Sequence, residues 1–386
     1  MLDGGQSGAG AWSGAPVENG FDFEAAFRLS WRGVINTEEK LAGLLPVIRA
    51  ADWLALDTEA DSLHAYPEKI CLIQITTSIG DRLIDPLAVG DIGPLLQALA
   101  GHQLIMHAAD YDMRLLFKHH AFKPDGIFDT MLAARLLGYR EFGLGALAEQ
   151  ILGIKLDKGP QKADWARRPL TERMITYALN DTHHLKLLAD HLIRALTERH
   201  RLDWHREWCA RLIAECTRPP EEDPEREWRI KGAHALNRAG LAALRALWHW
   251  REGEALKANR PPFFILAHEK LIALAEAAAA QQPLEPVFPR HLSPRRREAI
   301  GRTVQVALRQ PPETFPQILR TRTRRPSEAE RRRYQDLEAR RDRAAHALGL
   351  EPSIVANRTV LGELARDWDR YAPQLMNWQR ALLDRG

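Results

Sequence analysis

Between residues 50 and 110 the chain sets short apolar runs between polar breaks: WLALD (53–57), ICLIQITT (70–77), RLIDP (82–86) and QLIMHAA (103–109). Runs this short, bounded by polar, Gly or Pro residues, predict β-strands. Helical patterns such as PLLQALAG (94–101) and YDMRLLFKHH (111–120) lie between and after them. Only a few residues separate the first three strands, so antiparallel connections and a mixed sheet are expected. Beyond about residue 130 the strand signals stop. MLAARLLGY, LGALAEQIL and LTERMITYALNDTHHLKLLADHLIRALTERH repeat their apolar positions every 3.6 residues, and so does almost everything that follows.

Two breaks interrupt the helical part. RPPEEDPE (218–225) combines three prolines with a charge cluster and reads as a linker. QQPLEPVFPRHLSPRRR (281–297) reads as a separator between two helical modules. The chain is therefore expected to divide into a flexible Gly-rich tail (1–28), an α/β domain (29–210), a first helical domain (211–290) and a second, Arg-rich one (291–386).

At 386 residues, with 45% hydrophobic and 27% charged positions, the composition is that of a soluble globular protein of two or three domains. No apolar run approaches the roughly 20 residues of a membrane span, and the first residues have neither a secretory nor a transit-peptide pattern. Cys71, Cys209 and Cys216 are odd in number and unevenly spaced, which argues against a disulfide framework and for a reducing cytoplasm. Cys71, inside ICLIQI, is expected in the core. The net charge of +3 conceals a cluster: Arg295, Arg296, Arg297, Arg302, Arg309, Arg320, Arg322, Arg324, Arg325, Arg331, Arg332 and Arg333. Such a segment either contacts polyanions or is a solvated helix face balanced by Glu and Asp.

The chemistry gathers on carboxylates. Asp57 and Glu59 stand at i and i+2 where the first strand emerges, hence on one side of it. Burying such a pair costs several kcal/mol unless a cation or donors compensate. Asp110 and Asp112 lie where another strand runs into a helix, and the residues alone do not choose between them. Tyr177 and Asp181, at i and i+4, share a helix face that borders the apolar positions Met174, Ile175, Ala178, Leu179, Leu185 and Leu188, expected to face the sheet. An oxygen-only ligand set suits Mg²⁺ or Mn²⁺. Two such ions clamp the attacking and leaving oxygens in phosphoryl transfer.

DTEADSLHAYPEKICLIQI, HAADYDMRLL and the Tyr-x-x-x-Asp of YALNDTHHL resemble the three exonuclease motifs of the DEDD superfamily, tyrosine subclass. LGIKLDKGPQKADWARRPLTERMITYALND is similar to the ribonuclease D family. NRPPFFILAHEKLIALAEA (259–277) resembles its helicase-and-ribonuclease-D C-terminal (HRDC) module, and LGLEPSIVANRTVLGELA (348–365) its second such module. The resemblance covers nearly everything after residue 28. It implies a ribonuclease H-like (DnaQ-like) α/β exonuclease domain with a mixed sheet, followed by two all-α domains. It also implies two Mg²⁺ or Mn²⁺ ions: Asp57 would bridge both, Glu59 and Asp181 would complete the first ion's shell, and Tyr177 would orient the attacking water. The family's spacing from the motif His selects Asp112 over Asp110. The implied activity is 3′–5′ trimming of structured RNA such as tRNA precursors, releasing nucleoside 5′-monophosphates, with no membrane and no small-molecule cofactor. A DNA 3′–5′ exonuclease and a non-catalytic RNA-binding scaffold are the rival readings.

Other patterns carry less. GLGALA (143–148) fits a dinucleotide fingerprint but lacks the preceding strand that motif needs. His119-His120 and His183-His184 are adjacent and make poor joint ligands. Trp165, Arg167 and Arg168 either guide a nucleic-acid backbone or are a packed Trp beside surface arginines. Phe263 and Phe264 are expected in the core of a helical module.

Overall fold

The computed structural model describes residues 33–157, 159–219, 223–319 and 325–384. The expected tail (1–28), part of the linker, and Arg320, Arg322 and Arg324 lie outside them. A five-stranded sheet runs in the order β3-β2-β1-β4-β5, with β1 (Leu54–Ala60), β2 (Ile70–Thr77), β3 (Gly80–Ile84), β4 (Gln103–Met106) and β5 (Gly126–Asp129). β1–β2 and β2–β3 pair antiparallel, β1–β4 and β4–β5 parallel, so the sheet is mixed. The β2–β3 turn is two residues long and ends on Gly80 at φ 112, a conformation that suits glycine.

Four strands coincide with the apolar runs, though β1 continues three residues further than expected. Asp57 and Glu59 therefore lie inside the strand and not at its end. The fifth strand, GIFD, gives no signal of its own: two apolar residues are too few to show a period. The run 103–109 stops as a strand at Met106 because Ala108 turns the backbone to φ 56.

Alternation along the strands sorts two apolar faces. On one, Leu54, Leu56, Ile73, Ile75 and Leu104 pack with α1 (Glu38–Ala50), α2 (Gly93–Ala100) and α3 (Asp110–His120). On the other, Cys71, Leu72 and Leu83 pack under Met174, Ala178 and Leu179 of α5 (Glu172–His183). α4 (Thr130–Leu136) and α6 (Leu185–Glu198) complete that second face beside Ala55, Ile105 and Phe128. The long helical pattern from 171 to 200 is thus two helices, broken at His184, whose Leu185 and Leu188 face a different part of the sheet.

The expected domain boundaries need correction. α7 (Leu202–Cys216) buries Cys209, Ile213 and Cys216 in the α/β core, so a boundary at 210/211 would cut a packed helix. α8 (Arg238–Ala258), α9 (His268–Ala279) and α10 (Pro294–Leu308) enclose one core of Trp228, Leu241, Leu244, Leu271, Ile300 and Val304. The Pro-rich stretch 281–297 is therefore a loop within that unit, because Ile300 and Val304, four apart on α10, bury against α8. The arginines consequently divide between two units, Arg295 to Arg309 on or beside α10 and Arg331 to Arg333 on α11 (Glu328–Leu348). Several of them are engaged locally: Arg302 with Glu298, Arg332 with Glu328 at 2.5 Å, and Arg333 with the Ala365 carbonyl at 2.6 Å.

α11, α12 (Arg358–Arg366) and α13 (Asn377–Leu383) do not form a separate core. Leu337, Val355, Leu361 and Trp378 share one apolar cluster with Leu188, Leu192 and Leu196 of α6. Trp378 stacks on Trp204 with ring centres 4.9 Å apart and planes 11° from parallel. Arg201 donates to the carbonyls of Leu136 at 2.6 Å and Leu348 at 2.8 Å, across the same junction. Gly138 is required there: at φ 87, a Cβ would stand 2.3 Å from the Gly349 carbonyl oxygen.

Phe263 and Phe264 are 48% and 54% exposed, not core residues. Their helix, Pro262–Ile265, is a single turn that buries Ile265 and cannot bury both sides. Cys71 is buried as expected, and Cys71, Cys209 and Cys216 are all unpaired. Among the described residues no helix is long and apolar enough to cross a membrane.

Because the last helical unit shares the α/β domain's core, Trp378→Ala should cost about 3–5 kcal/mol and lower the urea midpoint of one common transition. Circular dichroism across a urea series measures it; two separate transitions would show instead that the unit folds alone.

Candidate active site

β1 carries alternate residues to alternate faces, and Asp57 and Glu59 fall on the face covered by α5. One carboxylate oxygen each from Asp57, Glu59 and Asp181 lies within 4.8 Å of the others. Asp112 reaches the same place from the start of α3. It is buried, and its carboxylate accepts a hydrogen bond from the Thr58 hydroxyl, between the two acids of β1. Asp110 points elsewhere: exposed, it binds Arg114 through both oxygens, at 2.9 and 3.0 Å. The structure thus brings Asp57, Glu59, Asp112, Tyr177 and Asp181 together and leaves Asp110 outside.

Burial and mutual repulsion dominate the electrostatics. Burial first, then the charges of Asp112, Asp181 and Glu59, hold the Asp57 carboxyl well above the usual carboxylate range. Burial with Asp181 and Asp112 pushes Glu59 up to about 9. Asp112 and Asp181 are raised as well, by burial above all, although the Thr58 and Tyr177 hydroxyls, respectively, ease their ionisation. Burial beside Asp181 also raises Tyr177, so it is a neutral hydrogen-bond donor at physiological pH. A hard divalent cation fits this donor set: several carboxylate oxygens converge, they cannot all ionise alone, and no soft ligand is among them.

The surroundings hold the acids in place. The Tyr177 hydroxyl lies beside Asp181 and eases its ionisation, and the Gln161 side chain eases that of Tyr177. The Tyr177 ring lies between Trp165, 6.1 Å away centre to centre, and Gly159, where an added Cβ would stand 1.7 Å from a ring carbon. Trp165 is buried, and Arg168 locks this loop to the sheet edge. Its guanidinium binds both oxygens of Asp85 at 2.5 and 2.7 Å and the Cys71 carbonyl at 2.8 Å. Arg168 is thus a brace for the loop. Asp129 does the same for α3: fully buried, it accepts from the backbone of Ala108 and Ala109 just ahead of that helix and caps α4 through Met131 and Leu132. His183 binds Asp81 at 2.7 Å, and the Thr76 hydroxyl bridges Asp81 and Thr182, fastening the end of α5 beside Asp181.

Sequence reasoning passed over Thr58, Gln161, Gly159 and Asp129. Thr58 and Asp129 left faint signals, a hydroxyl between two acids and an Asp at a helix start. Gly159 and Gln161 left none.

A family model described as 3′–5′ exonuclease matches residues 33–197, and an HRDC domain model matches residues 240–282. A ribonuclease D of Zymomonas mobilis is 37% identical over 253 residues, a match that spans 63% of this chain and only 63% of the relative's length. A ribonuclease D of Pseudomonas paraeruginosa is 30% identical over 374 residues, 93% of this chain and 96% of that one. The crystal structure of Escherichia coli RNase D, an exoribonuclease involved in structured RNA processing, shares the fold: TM-score 0.72 at 24% identity, covering 91% of this chain and 96% of that one. Fold and carboxylate cluster define the class, a 3′–5′ exonuclease domain carrying helical units behind it. Within that class the chain belongs to the ribonuclease D family.

Two outcomes follow from this geometry. A carboxyl raised in the folded state makes the folded protein bind more protons than the unfolded one, so its contribution is lost as pH rises. The melting temperature without cations should therefore fall between about pH 4.5 and about 9, the ordinary and folded values of Glu59. Glu59→Gln should flatten that fall and weaken the rise on adding Mn²⁺; identical melting curves for both proteins across this range, with and without Mn²⁺, would contradict it. Gly159→Ala should displace the Tyr177 ring and lower kcat about a hundredfold while leaving the melting temperature nearly unchanged, as single-turnover kinetics with differential scanning would measure.

Proposed function

We propose that the chain is a metal-dependent 3′–5′ exoribonuclease that trims the 3′ ends of structured RNA, with tRNA precursors as its substrate class. The observation that carries this reading is the convergence of Asp57, Glu59 and Asp181 within 4.8 Å beside Asp112 and Tyr177. Asp57, Glu59, Asp112 and Asp181 would hold two divalent cations, Mg²⁺ or Mn²⁺. When bound, these supply Lewis-acid stabilisation of charge on the phosphoryl group and ease deprotonation of the attacking water.

The chain's own groups perform the remaining work. Tyr177, fixed between Gly159 and Trp165, holds its hydroxyl toward Asp181, where it can orient a water against the terminal phosphodiester. Water attacks phosphorus, the bond to the 3′ oxygen of the shortened chain breaks, and that oxygen takes a proton. The released nucleotide is a 5′-monophosphate. The structured-RNA role of the Escherichia coli enzyme supports the choice of RNA, and the helical units would hold the RNA body. Three buried, unpaired cysteines support a reducing compartment, the cytoplasm.

The test is end-labelled 3′-extended tRNA and a DNA of matched sequence, each incubated with Mg²⁺, Mn²⁺ or EDTA. Stepwise release of 5′-monophosphates from the RNA, abolished by EDTA, is expected; preference for the DNA would sink the RNA assignment. Asp112→Asn should cost orders of magnitude in rate. Asp110→Asn should cost little, because it weakens an exposed helical ion pair and a thiol contact from Cys216, both outside the acid cluster. The reverse ranking would mean that the wrong acid has been placed in the site.

A further inference from the structure

Gln74 sits on β2 beside the middle strand, fully buried, and both ends of its side-chain amide are without a hydrogen-bond partner. Among the described residues it is alone in having donor and acceptor ends orphaned together. An unmade buried hydrogen bond costs free energy, whereas Leu or Met would fill the same space without that cost. A mere space-filling role therefore does not account for an amide here.

Its position points to its use. In the β1–β2 ladder Gln74 stands directly opposite Asp57, and in the β2–β3 ladder directly opposite Leu83. Opposed residues in an antiparallel pair share a face, with Cβ atoms about 4.5–5.5 Å apart. Two residues on, Thr76 lies on that same face and meets Thr182 of α5 through its hydroxyl. The Gln74 amide is thus enclosed between Asp57, Leu83 and the helix that carries Asp181.

The acids are unequally served. Asp112 accepts from the Thr58 hydroxyl and Asp181 lies beside the Tyr177 hydroxyl, which eases its ionisation, while among the described residues no side-chain donor bonds Asp57. Gln74 is the unpartnered side-chain donor that the ladder sets directly opposite the acid that lacks one. We infer that Gln74 is a positioning residue for Asp57: its amide N–H donates to the Asp57 carboxylate oxygen turned away from a bound cation and fixes that carboxylate's orientation. Hydrogen bonds of this kind orient ligating carboxylates and keep their basicity. The inference rests on the metal-dependent reading above and adds a residue to it.

The experiment is Gln74→Met, with Gln74→Leu as a second apolar shape, in the full chain. Mn²⁺ binding is measured by calorimetry, melting temperature is taken in EDTA, and kcat and KM are determined on RNA. Expected are a Kd for Mn²⁺ weaker by about tenfold or more, a melting temperature in EDTA equal to or above the wild type, and a fall in kcat with little change in KM. Wild-type Mn²⁺ affinity in both variants would overturn the inference and leave the exonuclease reading standing. A large drop in melting temperature in EDTA for both would overturn it in favour of a packing role. Failure of the wild-type protein itself to bind Mn²⁺ would sink both readings together.

Discussion

Repulsion among buried carboxylates is the constraint on which the rest of this structure depends. Asp57 and Glu59 occupy the middle strand of the sheet, and Asp181 and Asp112 are brought against them from two different helices. Left to itself such an arrangement would open, since each charge raises the free energy of its neighbours and water is largely excluded. The surrounding chain opposes that opening by fastening every element that bears an acid. Asp129 holds the turn ahead of α3, Arg168 and Asp85 hold the loop over Tyr177, and Asp81, His183 and Thr76 hold the end of α5. β1 is fixed by ladders on both sides. A divalent cation entering this cluster would meet groups already in place, so little ordering entropy would be lost on binding.

The two helical units relate to this site in different ways. The last one continues the apolar core of the α/β domain through Trp378, Leu337 and Leu361, so it is fixed in orientation and supports α6 from behind. The first has a core of its own. It meets the exonuclease domain through polar contacts: the Tyr66 hydroxyl with Glu252 at 2.5 Å and the Tyr66 backbone N–H with Asn259 at 3.2 Å. Tyr66 belongs to the loop that leaves β1 just beyond Glu59. A unit joined by polar contacts has more freedom than one that shares a core. Of the two, the first is the less firmly fixed to the exonuclease domain.

Much of this was legible in the chain, for definite reasons. Acids inside apolar runs stand out because nothing in a strand or a helix face explains them, which is why Asp57, Glu59 and Asp181 could be singled out. The mixed sheet followed from the short spacing of its first three strands. What could not be read depended on contacts between distant parts of the chain. Thr58 and Asp112 are 54 positions apart, and only their meeting shows why Asp112 and not Asp110 enters the site. Gly159 and Gln161 look like ordinary loop residues until the Tyr177 ring is placed beside them. The misplaced boundary at 290/291 has a similar origin. A run of prolines marks a loop equally well inside a unit or between units, and only the burial of Ile300 and Val304 against α8 distinguishes them.

The loop after β1 joins these considerations. Asp61, fully buried, binds Lys69 through both its side-chain amine and its backbone N–H, closing residues 61–69 into a compact turn. That turn touches three things at once. Glu68 pairs with Lys118 of α3 at 2.8 Å, His64 meets the Lys162 carbonyl in the loop over Tyr177, and Tyr66 meets the first helical unit. A displacement of the helical unit would therefore be transmitted to α3 and to the loop over Tyr177, unless the turn itself gave way. The Asp61–Lys69 closure makes it stiff. Because a misplacement of about 1 Å at the reacting groups costs some two orders of magnitude in rate, a stiff turn here couples the placement of the first helical unit to the alignment of the acids.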